Sequence, residues 1–144
     1  MKGKAKVKNY FYLIVGILCI LFAGTQTWNG LQAILPALHG SNIESSITTV
    51  FTYQWYIIIA ENLVFGMALL IMAFQKNGAK VKNAAWVIIA MLFVRGLATA
   101  LVTMLLGISD VGNLLTSTIA ISVLLVLLLL GVRVKDQSAA CHTV

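Results

Sequence analysis

The chain has 144 residues, of which 60% are hydrophobic and only 10% are charged. A soluble domain carries about 25% charged residues to cover its water-facing surface, so this composition excludes a soluble globular fold. The apolar residues arrive in long blocks, without the alternation of a strand or the heptads of a coiled coil, and such blocks are typical of segments that cross a lipid bilayer. Composition and patterning together predict an integral membrane protein.

In chain order, the blocks predict four transmembrane helices, at about 10–35, 53–74, 84–106 and 114–132. We expect the first helix to end at Pro36, because a proline removes a helical hydrogen bond and clashes with the preceding turn. Apolar residues at helical spacing around this point predict an interfacial segment between the first two helices: Leu31, Ile34, Leu35 and Leu38. The predicted fold is all-α, an up-down-up-down four-helix bundle that forms one domain over 1–144.

Most basic residues lie in segments that an even number of membrane crossings places on one side, and the exception, Arg95, lies inside an apolar block. Nine of the ten lie there: Lys2, Lys4, Lys6, Lys8, Lys76, Lys80, Lys82, Arg133 and Lys135. The segment from Asn29 to Thr52, on the other side, has no lysine or arginine. This distribution predicts a multi-pass plasma-membrane protein with both termini in the cytoplasm. The net charge of +6 therefore indicates topology and contact with the lipid bilayer, and no nucleic-acid partner is expected.

Two ionisable residues interrupt the apolar blocks, Glu61 in the second predicted helix and Arg95 in the third. Glu61 precedes Gln75 by 14 residues and Arg95 follows Asn83 by 12, so both lie ~18–21 Å above the inner loop at ~1.5 Å rise per residue. Helices joined by a short loop are usually antiparallel neighbours, and we predict a buried Glu61–Arg95 pair. Such a pair is either structural, with each charge neutralising the other, or the centre of a binding site.

Other polar residues favour a cavity in the outer half of the membrane around this pair. Arg95, Thr99 and Thr103 repeat every four residues on one helix, and Gln54 shares a helical face with Glu61. The predicted ligand-binding residues are Glu61, Arg95, Gln54, Asn62, Thr99, Thr103 and Gln26. The alternative is that the serines and threonines only help the helices to pack, as does the small residue Gly66.

The sequence offers little for catalysis. It contains no Ser/His/Asp or Cys/His arrangement, no phosphate-binding glycine loop and no pair of acidic residues for acid/base chemistry. His142 and Cys141 are adjacent, but they are too few for a structural zinc site. An enzyme is therefore not favoured, and neither a metal nor a cofactor is predicted, although a quinone or a lipid is the kind of small molecule that such a bundle would bind.

The stretch from Glu61 to Leu70, with the sequence ENLVFGMALL, is followed by a short basic loop and Ala84. This stretch resembles the second helix of the DoxX/DoxD-like small membrane proteins, in which a glutamate is closely followed by glycine and an apolar run. The resemblance implies a four-helix architecture and a link to membrane redox complexes and quinones, often as a partner subunit. Arg95 does not map onto that pattern.

These observations leave three functions open. The first is a non-catalytic binding or accessory subunit, whose cavity takes a lipid-like small molecule or a membrane partner. The second is a subunit of a membrane redox or quinone complex, as the resemblance implies. The third is a small transporter or pore formed by a homo-oligomer, because four helices enclose little space, although the chain lacks the broken helices and charged rings that such proteins use.

Overall fold

The computed structural model describes residues 7–40, 44–75, 77–106 and 111–133 of the chain. Side chains at 102, 103, 106 and 111–117 lie outside this description. The helices are α1 (Tyr10–Asn29), a π-helical segment (Gly30–Ile34), α2 (Leu35–Gly40), α3 (Ser45–Phe74), α4 (Gly78–Leu106) and α5 (Val111–Arg133). No strand occurs among the described residues, which confirms the all-α prediction.

Among the residues that the structure describes, three stretches of helix are long and apolar enough to cross a membrane: Tyr10–Gly40, Ser45–Phe74 and Gly78–Leu101. At ~1.5 Å per residue, a helix of about 20 residues spans the hydrocarbon core of a bilayer. The fourth, α5, has 23 residues, and its apolar part within the fully described region is Thr118–Arg133. Large apolar side chains are exposed along these helices, for example Leu21 at 58% and Val87 at 60%, as a lipid-facing surface requires.

Two compact units divide the chain, one formed by Gly16–Ile71 and the other by the residues up to Val15 and from Met72 onward. The single domain predicted for 1–144 stays a prediction.

Within Gly16–Ile71, α1 and α3 pack antiparallel through a pair of glycines. A Cβ added to Gly16 would lie 3.0 Å from the backbone oxygen of Gly66, and one added to Gly66 would lie 2.7 Å from Ile20 Cγ1. Farther along α1, the indole of Trp55 packs against Gly30 and its Nε1 donates to the backbone oxygen of Gln26 at 3.2 Å. The close approach of the backbones confirms that Gly66 is a helix-packing residue.

The predicted end of the first helix at Pro36 is wrong, because the helix continues through this residue to Gly40. The preceding turn widens into the π-helical segment, in which the Leu35 N–H donates to Gly30 O, five residues back. A proline in a regular α-helix clashes with the carbonyl four residues earlier, here that of Gln32. The wider turn lets the chain accept Pro36 without breaking. The interfacial position predicted for this segment stays a prediction.

The second predicted helix, at 53–74, begins too late, since α3 starts at Ser45. Glu44 O accepts hydrogen bonds from the backbone of Ile47 and Thr48 at the first turn. The hydroxyl groups of Thr49 and Thr52 donate to carbonyls four residues earlier. The helix extends past the apolar block into polar sequence, because backbone hydrogen bonding does not depend on the hydropathy of the side chains. Likewise, α4 begins at Gly78, ahead of the predicted 84–106, and α5 at Val111.

In the other unit, α4 and α5 pack antiparallel. A Cβ on Gly96 would make ordinary contact with Ile121 at 3.4 Å, while Trp86, nearer the start of α4, lines the same groove as Leu129, nearer the end of α5. Buried side chains on the two helices include Leu92 and Leu128. This contact extends along most of the apolar part of α5.

Asn9 joins three helix ends in this unit. Its side-chain Oδ1 accepts from the backbone N–H of Phe11 at 3.0 Å and so caps the start of α1. Its Nδ2 donates to Gly131 O in the last turn of α5 at 2.7 Å. Its backbone N–H donates to Ala73 O, in the last turn of α3, at 3.3 Å, beside a 2.8 Å bond from Lys8 N. Asn9 therefore satisfies backbone groups that helix ends leave without partners.

Tyr12 packs on the same junction. A Cβ at Gly131 would lie 2.6 Å from Tyr12 Cε1, so the ring lies directly against the backbone of α5. The side chain is 1% exposed, and its hydroxyl has no hydrogen-bond partner among the described residues. The ring therefore contributes packing here, whereas the buried hydroxyl gains no hydrogen bond from the described residues to offset its loss of water.

Candidate functional site

Glu61 lies in the middle part of α3 and Arg95 in the middle part of α4, and each side chain is half-buried. Both lie inside stretches that are long and apolar enough to cross a membrane. On insertion scales, a charge at the centre of a membrane helix costs about 2.5–3.5 kcal/mol, so each of the two residues carries an energetic cost at its position. Because Glu61 belongs to the unit Gly16–Ile71 and Arg95 to the other, their pairing stays a prediction.

The polar neighbours predicted on α3 differ in burial. Asn62, next to Glu61, is buried with only 9% of its surface exposed. Gln54, predicted to share the face of Glu61, is exposed. A buried amide in an apolar helix needs hydrogen-bond partners, which makes Asn62 the more informative of the two as a candidate ligand contact.

On α1, the structure assigns Gln26 a role that the sequence did not predict. The residue is half-buried, and its backbone oxygen accepts the indole N–H of Trp55. This bond ties α1 to α3 one turn before the π-helical segment. Gln26 was predicted to bind a ligand, and this contact does not test that prediction.

The threonine stripe on α4 is described only in part. The Thr99 hydroxyl donates to the backbone oxygen of Arg95 at 3.0 Å, and its side chain is exposed. A threonine that bonds to its own helix in this way needs no ligand to satisfy that hydroxyl proton, and a role of Thr99 in ligand binding stays a prediction. Thr103 lies in α4, but its side chain is outside the described residues.

Within the described ranges, no group of three or more His, Cys, Asp or Glu residues could hold a metal ion. Cys19 is a thiol buried in α1. The described polar groups can therefore act by hydrogen bonding and charge, and no set of nucleophile, base and orienting residue is present among them.

Two features of the unit formed by the residues up to Val15 and from Met72 onward were not predicted from the sequence. One is Asn9, although an asparagine immediately before an apolar block is a recognisable N-cap signal. Its bonds to Gly131 and Ala73 had no sequence signal, because they join residues far apart in the chain. The other is a groove between α4 and α5, which depends on side chains of two separate helices.

Long apolar helices, an exposed apolar surface and mid-helix charges together define a helical membrane protein. No protein-family model, no curated protein and no solved structure matches this chain. The resemblance of 61–70 to the DoxX/DoxD-like proteins therefore stays a prediction.

Proposed function

We propose that this protein is a small integral membrane binding subunit, whose polar site around Glu61 and Arg95 takes the head of a lipid-like molecule. The observation that carries the proposal is the presence of two opposite charges, each half-buried within an apolar membrane-length helix. Intramembrane ionisable residues usually line a cavity or a pathway because they are costly to keep in lipid. The two charges form a pair that balances each residue when the site is empty.

The chemistry of these groups suits an oxygen-rich head. A guanidinium such as that of Arg95 presents several N–H donors in one plane and favours phosphate, carboxylate or carbonyl oxygens. The carboxylate of Glu61 accepts hydrogen bonds from hydroxyl or amine groups. Asn62, which is buried beside it, supplies both a donor and an acceptor. Binding then replaces part of the Glu61–Arg95 attraction by contacts with the ligand, without a covalent step.

The site is proposed to lie in the outer half of the plasma membrane, with both termini in the cytoplasm. The start of α1 and the end of α5 meet at Asn9, and Lys8, Lys80, Lys82 and Arg133 belong to the same end of their unit. A basic end of this kind normally faces the cytoplasm. A reporter fused to the C-terminus should therefore be protected from extracellular protease in intact cells, and cleavage there would contradict the proposed topology.

The binding site is tested by replacing both charges. The protein and its double variant Glu61→Gln, Arg95→Met are extracted with their surrounding lipid in copolymer particles, and retained small molecules are identified by mass spectrometry. We expect the variant to fold but to lose an amphiphile that the unchanged protein retains. The matched control is Thr49→Val, which alters an exposed polar side chain of α3 and should keep the ligand. Equal retention by all three proteins would contradict the proposal.

The charge-exchanged variant Glu61→Arg, Arg95→Glu separates pairing from binding. A structural pair tolerates the exchange, whereas a site that recognises a particular head group does not. We expect the exchanged variant to be as thermally stable as the unchanged protein but to lose the ligand. Ligand retention equal to that of the unchanged protein would assign the two charges a structural role only.

The two other functions are distinguished by separate tests. A subunit of a quinone or redox complex, as the DoxX/DoxD resemblance implies, would bind added decylubiquinone and co-purify with an oxidoreductase. A homo-oligomeric transporter or pore would produce flux in proteoliposomes that contain this protein alone. Flat traces for protons, monovalent ions and small solutes, with an amphiphile retained, are the result that the binding-subunit proposal expects.

A further inference from the structure

A groove with a volume of about 350 Å³ runs between α4 and α5, within one unit of the chain. This volume falls in the range of ~300–1,000 Å³ that small-molecule sites usually have. Only apolar atoms line it, and the residues that contribute them are Trp86, Ile89, Ala90, Phe93, Leu125 and Leu129. Trp86 and Phe93 remain 52% and 59% exposed, so the two large rings flank the groove without closing it.

Helical spacing places two cations, Lys82 on α4 and Arg133 on α5, beyond one end of this groove, which we call its basic end. On α4, Lys82 precedes Trp86 by four residues and Phe93 by eleven, so all three share one helical face. On α5, Arg133 follows Leu129 by four residues and Leu125 by eight, which again places them on one face. Because the helices are antiparallel, Lys82 and Arg133 each lie one turn, ~6 Å along the axis, beyond the same end of the groove.

We infer that this groove binds an anionic phospholipid, with an acyl chain along the apolar floor and the phosphate between Lys82 and Arg133. Lys82 is half-buried and Arg133 is exposed, so one cation lies at the edge of the groove and the other can extend toward water. Basic pockets between transmembrane helices on the cytoplasmic side are suited to anionic head groups. Trp86 lies one turn from Lys82, at the depth where an indole ring prefers the boundary between head groups and hydrocarbon.

A zwitterionic lipid fits the apolar floor equally well but gains less from the two cations. Each lysine or arginine near the membrane surface attracts an anionic lipid by about 1 kcal/mol, which converts to about a 5-fold preference per residue and ~25-fold for both. Preference for the anionic head, rather than binding of lipid as such, is therefore the property that defines this site. Neither Glu61 nor Arg95 lines the groove, so either proposal can fail without the other.

The test compares phosphatidylglycerol with phosphatidylcholine of identical acyl chains, added to the purified full-length protein in detergent and measured by native mass spectrometry. We expect the protein to prefer phosphatidylglycerol by roughly 25-fold. The double variant Lys82→Gln, Arg133→Gln should bind both lipids almost equally. Raising the ionic strength should weaken the preference of the unchanged protein, because exposed charges are screened. Glycerol phosphate, which has the head but no chain, should bind far more weakly than the lipid.

The matched control for charge is Lys80→Gln, which removes one exposed lysine from nearly the opposite face of α4. If the preference comes from Lys82 and Arg133, this variant keeps it. The single variant Lys82→Gln should lose about 5-fold of the preference. A loss as large in Lys80→Gln would show diffuse attraction to the basic end and would overturn the proposed site. Equal binding of the two lipids by the unchanged protein would overturn it as well.

The matched pair for the groove is Ala90→Phe and Ala84→Phe. Ala90 lines the groove and Ala84 lies nearly opposite it on α4, and both are exposed. We expect Ala90→Phe to reduce phosphatidylglycerol binding at least 5-fold, and Ala84→Phe to leave it unchanged. Circular dichroism and size-exclusion chromatography check that the variants fold. Full binding by a folded Ala90→Phe variant would show that the acyl chain does not lie in the groove.

Discussion

The two antiparallel helix pairs of this protein meet in different ways. Between α1 and α3, Gly16 and Gly66 have no side chains, so the two backbones touch and little space remains. Between α4 and α5, Trp86 and Phe93 line an open groove, and the hydrogen bond at the end of α5 comes from Asn9 at the start of α1, outside this pair. Membrane helices gain little from the hydrophobic effect, so close packing and hydrogen bonds stabilise their contacts. The α1–α3 pair uses both, because the glycine contact is accompanied by the hydrogen bond from Trp55 Nε1 to Gln26 O. The α4–α5 pair instead leaves an open apolar groove.

The largest effect is expected at the glycine contact. In Gly66→Ala, the new Cβ would lie 2.7 Å from Ile20 Cγ1 and 2.9 Å from Gly16 O. Because a backbone oxygen cannot move away as a flexible side chain can, we expect overpacking to lower the free energy of unfolding by about 3 kcal/mol. Denaturant titration in detergent, followed by circular dichroism, measures this change.

Gly24→Ala is the matched control, because nothing lies within 4 Å of a Cβ at Gly24. This variant should be as stable as the unchanged protein or slightly more so, since alanine favours helix. Equal stability of the two glycine variants would contradict the close contact of α1 with α3.

The next effect is expected at the polar junction. Asn9→Ala removes the cap of α1 and the bond to Gly131, and we expect a loss of about 2 kcal/mol in the free energy of unfolding. Asn9→Asp keeps the capping oxygen but loses the Nδ2 donor. Its free energy of unfolding should therefore lie between those of the unchanged protein and Asn9→Ala. The same titration measures all three proteins.

Asn77→Ala is the control for a cap without such a junction. Its Oδ1 accepts from Lys80 N at 3.3 Å at the start of α4, in an exposed position. A loss below about 1 kcal/mol is expected there. If Asn9→Ala were no more harmful than Asn77→Ala, the bond to α5 would add nothing to the α1 cap.

The smallest effect concerns Tyr12. Tyr12→Phe keeps the ring on Gly131 and removes a buried hydroxyl that has no partner among the described residues. We expect a gain of about 1 kcal/mol in the free energy of unfolding, because an unsatisfied buried polar group is removed. Tyr10→Phe, at a ring that is 65% exposed, should change nothing. A clear loss in Tyr12→Phe would reveal a partner for the hydroxyl and make it a candidate functional group.

The membrane character and the positions of the helices could be predicted from the sequence, because lipid demands long apolar segments and leaves few alternatives. Glu61 and Arg95 were identified in the same way, since charges are conspicuous in an apolar block. Helix ends were less predictable. The apolar block marks where lipid begins, whereas α3 starts at Ser45 and α4 at Gly78 because backbone hydrogen bonds continue into polar sequence.

By itself, then, the sequence determined the class of protein, the helical segments and the residues whose charge is costly in lipid. Only the tertiary structure decided how Pro36 is accepted in a continuous helix, which helix ends Asn9 joins, and that α4 and α5 leave an apolar groove between them. The physical reason is that hydropathy and helix periodicity are properties of one segment. A widened turn, a hydrogen bond between distant helix ends and a groove depend on how separate segments pack, and no single segment contains that information.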